Sequence, residues 1–177
     1  MSSIDWSASF DDLQVGQSFA SLGRTITETD IVGFAALTGD WHPQHADARW
    51  AADSDFGERI AHGMLILSYA VGLVPFDPMR VLALRRIGDV VFKRPITIGQ
   101  TIWVEGKVAE LSQVGAEAGL VLWRWSVRSE QALVCRARIE VLWRRDLLDS
   151  GPAKDTDAPR AQREADLIDY PQGVVPC

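Results

Sequence analysis

The chain has 177 residues, enough for one domain with a sizeable core and a short extension. Hydrophobic residues make up 47% and charged ones 24%, the balance of a soluble globular protein rather than a disordered or fibrous one. A formal charge of −6 excludes a broadly basic surface, and with it a nucleic-acid partner, but leaves room for a local basic patch facing a phosphorylated ligand.

The opening residues, Met1-Ser2-Ser3-Ile4-Asp5-Trp6, carry neither a basic region nor an apolar stretch, so no targeting segment is expected. The most apolar run, Gly63 to Pro75, is too short to span a bilayer and suits a buried helix, so no membrane partner is expected. Two cysteines, Cys135 in a strand pattern and Cys177 at the last position, give no disulfide framework. A cytoplasmic location follows as the expectation.

The run Gln17 to Thr27 alternates weakly and reads as a strand. Thr27-Glu28-Thr29-Asp30 is a capping-box signature ahead of Ile31, Phe34, Ala35 and Thr38. That three- and four-residue spacing predicts an amphipathic helix over residues 28–38, stopped by Gly39. Asp40-Trp41-His42-Pro43-Gln44-His45 then reads as an irregular turn, because Pro43 disfavours helical geometry at His42. A short helix around Ala46–Ala52 and a loop, Asp53–Ile60, are expected next. A second helix starting near His62-Gly63 is apolar nearly all round, which places it inside something.

From residue 87 the period changes to two. Val91–Pro95, Thr101–Leu111, Leu120–Arg128 and Ala132–Arg144 read as four strands. In the last, Leu133, Cys135, Ala137, Ile139, Val141 and Trp143 share one face, and Arg136, Arg138 and Glu140 the other. Strands in succession without intervening helices mean an antiparallel sheet, here one that wraps the apolar helix in an α+β arrangement. Residues 146–177 hold Pro152, Pro159, Pro171 and Pro176 with many charges, and read as a tail on a domain of residues 1–145.

Two places concentrate chemistry. Asp40 and His45 are five apart, which a regular helix would spread over different faces but a Pro-containing turn can bring together. A histidine that takes and gives a proton near neutral pH, beside a carboxylate, is an acid/base pair; the plain alternative is a turn aspartate and a solvated loop histidine. Ala61-His62-Gly63-Met64 opens the apolar helix, where unpaired N–H groups and a side-chain-free glycine would suit an oxyanion. The alternative there is a glycine that permits close packing and a capping or core histidine.

The run Phe34-Ala35-Ala36-Leu37-Thr38-Gly39-Asp40-Trp41-His42-Pro43-Gln44-His45 resembles the motif of MaoC-like dehydratases and (R)-specific enoyl-CoA hydratases, a helix ending in Asp-x-Asn-Pro-x-His. Ile60-Ala61-His62-Gly63-Met64-Leu65 is similar to the His-Gly segment that opens the family's central helix. Val91-Phe92-Lys93-Arg94-Pro95-Ile96 and Gly99-Gln100-Thr101-Ile102 resemble its strand-and-turn motif. The resemblance runs over residues 10–145, in the family's order.

It implies a hot-dog fold, an antiparallel sheet around a central helix, working as a homodimer with two central helices side by side. It implies that Asp40 and His45 bind and activate a water that adds across the α,β double bond of an acyl-CoA thioester. The Gly63 N–H would polarise the thioester carbonyl. His42, Trp41, His62 and Met64 become the candidate substrate-binding residues. No metal or redox cofactor is implied, and coenzyme A enters as part of the substrate. One departure stands out: His42 replaces the motif's Asn, exchanging an amide for an imidazole of different shape.

Two other readings share the fold. A thioesterase would place a carboxylate on the central helix, where this chain has apolar residues and Ser68. A non-catalytic acyl-CoA-binding subunit would pair with an active partner. Arg85, Arg86, Lys93 and Arg94 are candidates for coenzyme A phosphates or simply solvated edge charges. Trp103, Trp123, Trp125 and Trp143 lie on strands and are expected to pack.

Overall fold

The computed structural model describes residues 2–130 and 132–146. The Pro-containing tail, beyond Asp146, lies outside the described residues.

After a 3-10 turn at Phe10–Asp12, the chain forms β1 (Ser18–Ala20) and β2 (Arg24–Thr25), both antiparallel to the later strand β4 (Thr101–Gln113). The single strand expected over Gln17–Thr27 is therefore interrupted. Ser21 is the cause: its hydroxyl accepts from the Val104 amide at 2.9 Å, replacing the carbonyl a continuous ladder would offer.

Helix α1 (Glu28–Thr38) has the expected bounds. Thr27 Oγ1 accepts from the Asp30 amide, and the Asp30 carboxylate accepts from the Thr27 amide at 2.7 Å, a reciprocal capping box. Gly39 ends the helix in the left-handed region at φ 77°, its N–H bonded to the Ala35 carbonyl.

The segment after it is more ordered than expected. Pro43 keeps His42 extended (φ −54°, ψ 136°) but itself takes the first position of α2 (Pro43–Ala46), a place where its missing N–H costs nothing. His45 is thus on a short helix and not in an irregular turn. The helix expected around Ala46–Ala52 divides at Asp47, whose carboxylate caps α3 (Ala48–Ala52) by accepting from the Arg49 and Trp50 amides.

Helix α4 (Gly63–Leu73) buries Leu65, Ile66, Leu67 and Ala70. Its burial is one-sided within a single chain, because Met64, Ser68 and Gly72, spaced by four, form an exposed stripe. Strand β3 (Val81–Phe92) begins ten residues before the strand expected at Val91–Pro95 and ends inside it. Among the described residues it is an edge strand paired only with β6 (Leu133–Arg144), and its register shifts between Val81 and Ala83, Leu84 and Arg86, and Gly88 and Val91. Those bulges break the two-residue alternation by which a strand is recognised.

With β5 (Ala118–Ser129), the strands run in the order β1-β4-β5-β6-β3, all antiparallel, with β2 also on β4. The buried faces of β4, β5 and β6 meet α4 in one cluster. Trp123, Trp125 and Trp143 are fully buried in it, and Trp143 Nε1 donates to the Ala8 carbonyl at 2.9 Å. Trp6 stacks on Trp123 at 5.7 Å, drawing the N-terminal segment onto the sheet. Among the described residues no helix is long and apolar enough to cross a membrane.

Candidate active site

The end of α1, the whole of α2 and the start of α4 converge beside the sheet. Asp40 follows the left-handed Gly39, so its chain turns away from α1 toward α4. Its Oδ1 accepts from the His42 amide at 3.3 Å.

His45 is 5% exposed. Its Nδ1 lies 2.7 Å from the Ile60 carbonyl, and a carbonyl only accepts, so Nδ1 carries the proton. Nε2 is left as the basic nitrogen, 3.0 Å from the Gln44 side-chain amide. Burial pushes the His45 pKa below its ordinary value; the Ile60 carbonyl opposes it in part, His62 adds to the fall and Asp40 works against it. A neutral imidazole with a fixed tautomer is a proton acceptor.

His62 is 2% exposed and stacks on His45, 3.8 Å between ring centroids at 27°. Its Nε2 meets the Asp40 main-chain carbonyl at 3.0 Å. One donor atom each from Asp40, His45 and His62 lies within 4.8 Å of the others. These are metal-ligand types, yet near-parallel stacked rings hold their in-plane lone pairs side by side instead of aiming them at one point. The geometry suits proton transfer.

Gly63 starts α4. Thr27, His42 and Asp47 each cap the helix they precede with a side chain, whereas His62 makes no cap bond to α4. The first amides of α4 therefore stay available for a ligand oxygen. A Cβ at Gly63 would stand 2.9 Å from the Phe92 ring, so any larger residue there would have to displace that ring.

A cavity of about 380 Å³ opens here. Gln44, His45 and Gly63 form its polar part; Phe56, Ile66, Phe92, Ile96 and Val134 form its apolar wall; the exposed Lys93 and Arg94 border it. Several expected residues sit elsewhere. Trp41 and Met64 are 53% and 55% exposed and do not line it, and neither do Asp40 and His62. His42 caps α2, its Nδ1 accepting from the Gln44 amide at 3.3 Å, with its ring edge-on to Trp50 at 5.7 Å. Arg85 and Arg86 border a separate surface with Glu110 and Glu140. Gln44, Phe56 and Phe92 were not singled out as site residues. Gln44 had a signal in its place beside His45, whereas Phe56 lies in a loop with none.

An antiparallel sheet around a helix, with a carboxylate and a buried histidine close to that helix's N-terminus, is the arrangement of a hot-dog protein. Residues 12–125 match the MaoC like domain, and the chain belongs to that family. It is 33% identical over 162 residues to 3-hydroxybutyryl-CoA dehydratase of Methylorubrum extorquens, covering 87% of this chain and 90% of that one. It is 38% identical over 93 residues to an (R)-specific enoyl-CoA hydratase of Rhodospirillum rubrum, covering 52% and 64%. A 42% match to protein MaoC of Klebsiella aerogenes covers 54% of this chain but only 29% of that protein's length.

Among solved structures, a monoamine oxidase regulatory protein from Archaeoglobus fulgidus superposes with a TM-score of 0.74 at 38% identity, covering 78% of this chain and 95% of that one. A Mycobacterium tuberculosis protein, Rv0216, described as a double hot-dog fold, superposes at 0.71 with 22% identity, covering 87% and 52%; it speaks for the fold alone.

Proposed function

We propose that the protein is an acyl-CoA hydratase/dehydratase of the (R)-specific enoyl-CoA hydratase kind. His45 carries the reading: a buried neutral imidazole, pinned through Nδ1, lines the cavity with Gly63, and Asp40 lies close to it though outside the cavity's lining. In hydration, a water held by Asp40 and His45 gives up a proton, and its oxygen bonds to the β carbon. The π electrons shift toward the thioester oxygen, where the Gly63 N–H meets the developing charge. The α carbon then takes a proton from the dyad, so one water is consumed and nothing is oxidised or reduced. Coenzyme A enters and leaves as part of the substrate, and the chemistry calls for no metal or redox cofactor. The names of the relatives support the same reaction class.

His42, the departure from the family motif, bears on the competing reading of a non-catalytic subunit. Its imidazole accepts the α2 cap bond that an Asn side chain would accept, which supports retained activity. Helix α4 carries no carboxylate, which disfavours a thioesterase. The exposed stripe of α4 and the unpaired edge of β3 support a homodimer through these surfaces. The deciding experiment is loss of enone absorbance on incubation with a panel of short, long and branched enoyl-coenzyme A thioesters. Well-folded protein that consumes none of them is not a hydratase.

A further inference from the structure

His62 does not line the cavity, yet it meets Gly63, His45 and Asp40. It is joined by a peptide bond to Gly63, stacked on His45 at 3.8 Å, and bonded through Nε2 to the Asp40 carbonyl at 3.0 Å. We propose that His62 is a positioning residue that fixes Asp40 relative to His45, an inference resting on the hydratase reading above.

Asp40 needs such a tie. It follows Gly39, a left-handed residue free of side-chain restraint, and its own bonds to Thr38 Oγ1 and from the His42 amide are both long, at 3.3 Å. The bond from His62 is the shortest of the three. Because a carbonyl only accepts, Nε2 carries the proton, and the ring is held as the Nε2–H tautomer. Phe34 of α1 backs the ring at 5.0 Å, so one imidazole links α1, α2 and α4.

Two ordinary roles do not account for it. A capping histidine would bond its helix as His42 does, and His62 makes no cap bond. A core histidine would satisfy both nitrogens, but among the described residues Nδ1 is buried without a partner. The ring is placed for Asp40 and His45 at the expense of its own Nδ1.

The test compares wild type, His62→Phe and His62→Gln on but-2-enoyl-coenzyme A, with thermal melts to establish folding. Phe keeps the stacked ring and removes the donor; Gln restores an N–H at similar reach. His62→Phe should lower kcat about 10- to 100-fold with KM within about threefold, and His62→Gln should recover most of it. Full activity in His62→Phe, a change in KM alone, or a Gln variant no better than Phe would overturn the proposal. Histidine nitrogen NMR on wild type decides independently of variant folding: a protonated Nε2 on His62 supports the bond to Asp40, and a protonated Nδ1 with bare Nε2 overturns it. A wild type that hydrates no enoyl thioester instead removes the hydratase reading, a different result from an active wild type with an indifferent His62.

Discussion

His45 and His62 lie face to face, and each commits one nitrogen to a main-chain carbonyl, that of Ile60 for His45 and that of Asp40 for His62. The pairing fixes both tautomers without any carboxylate acting on either ring through a side-chain bond. Among the described residues the Asp40 side chain accepts a hydrogen bond from the His42 amide and from no other group.

Replacing Asp40 by Asn or His45 by Gln should lower kcat by about 10²- to 10⁴-fold, the range for removing a positioned acid or base. Isothermal titration with a saturated acyl-coenzyme A should show binding retained. Unchanged turnover in both variants would exclude the dyad.

The pH profile follows from the direction of the His45 shift. Its folded pKa lies below the ordinary value because burial disfavours the imidazolium. The acid limb of kcat/KM should therefore fall below about pH 6.5, the unperturbed histidine value. The unfolded chain binds this proton first as pH drops. Stability from keeping His45 neutral is thus complete above about 6.5 and is lost as pH falls through the folded pKa. Urea melts at stepped pH, read beside a His45→Gln control, check this.

Gly63→Ala should destabilise the fold by about 1–3 kcal/mol through overpacking against the Phe92 ring, and should lower turnover. The Gly63→Ala/Phe92→Ala double variant should recover stability relative to the sum of the single changes, because the second removes the ring the first collides with. Strict additivity in denaturant melts would show that the clash is relieved elsewhere.

Asp30 joins the start of α1 to α4. Its carboxylate accepts from the Tyr69 hydroxyl, the Thr27 amide and hydroxyl, and the Arg24 guanidinium, which also lies over the Tyr69 ring. Burial raises the carboxyl's pKa, but these bonds outweigh it and hold the group far below the usual carboxylate range. The stabilisation is thus present above about pH 4, the ordinary aspartate value, and is lost only as pH falls through the depressed folded pKa. Asp30→Asn should cost about 1–3 kcal/mol in denaturant melts at pH 7.

Local order was legible in the residues. The capping box at Thr27 and Asp30, the stop at Gly39 and the alternation of β6 depend on neighbours a few positions apart, and the structure repeats them. The edge strand β3 was legible only at its end, because its bulges shift side chains between faces and erase the period. The interruption at Ser21 was hidden because the hydroxyl that breaks the ladder acts on Val104, far along the chain.

The amino-acid order alone determined the family resemblance, the helix that carries Gly63 and the pairing of Asp40 with His45 as candidates, since each is a matter of residue type and spacing. Only the tertiary structure decided what these groups do to one another. It laid His62 on His45 and against Asp40 and kept it out of the cavity, turned Trp41 and Met64 outward, and spent His42 on a helix cap. The physical reason is that a tautomer and a burial shift depend on atoms brought together across three helices, which no spacing along one chain can state.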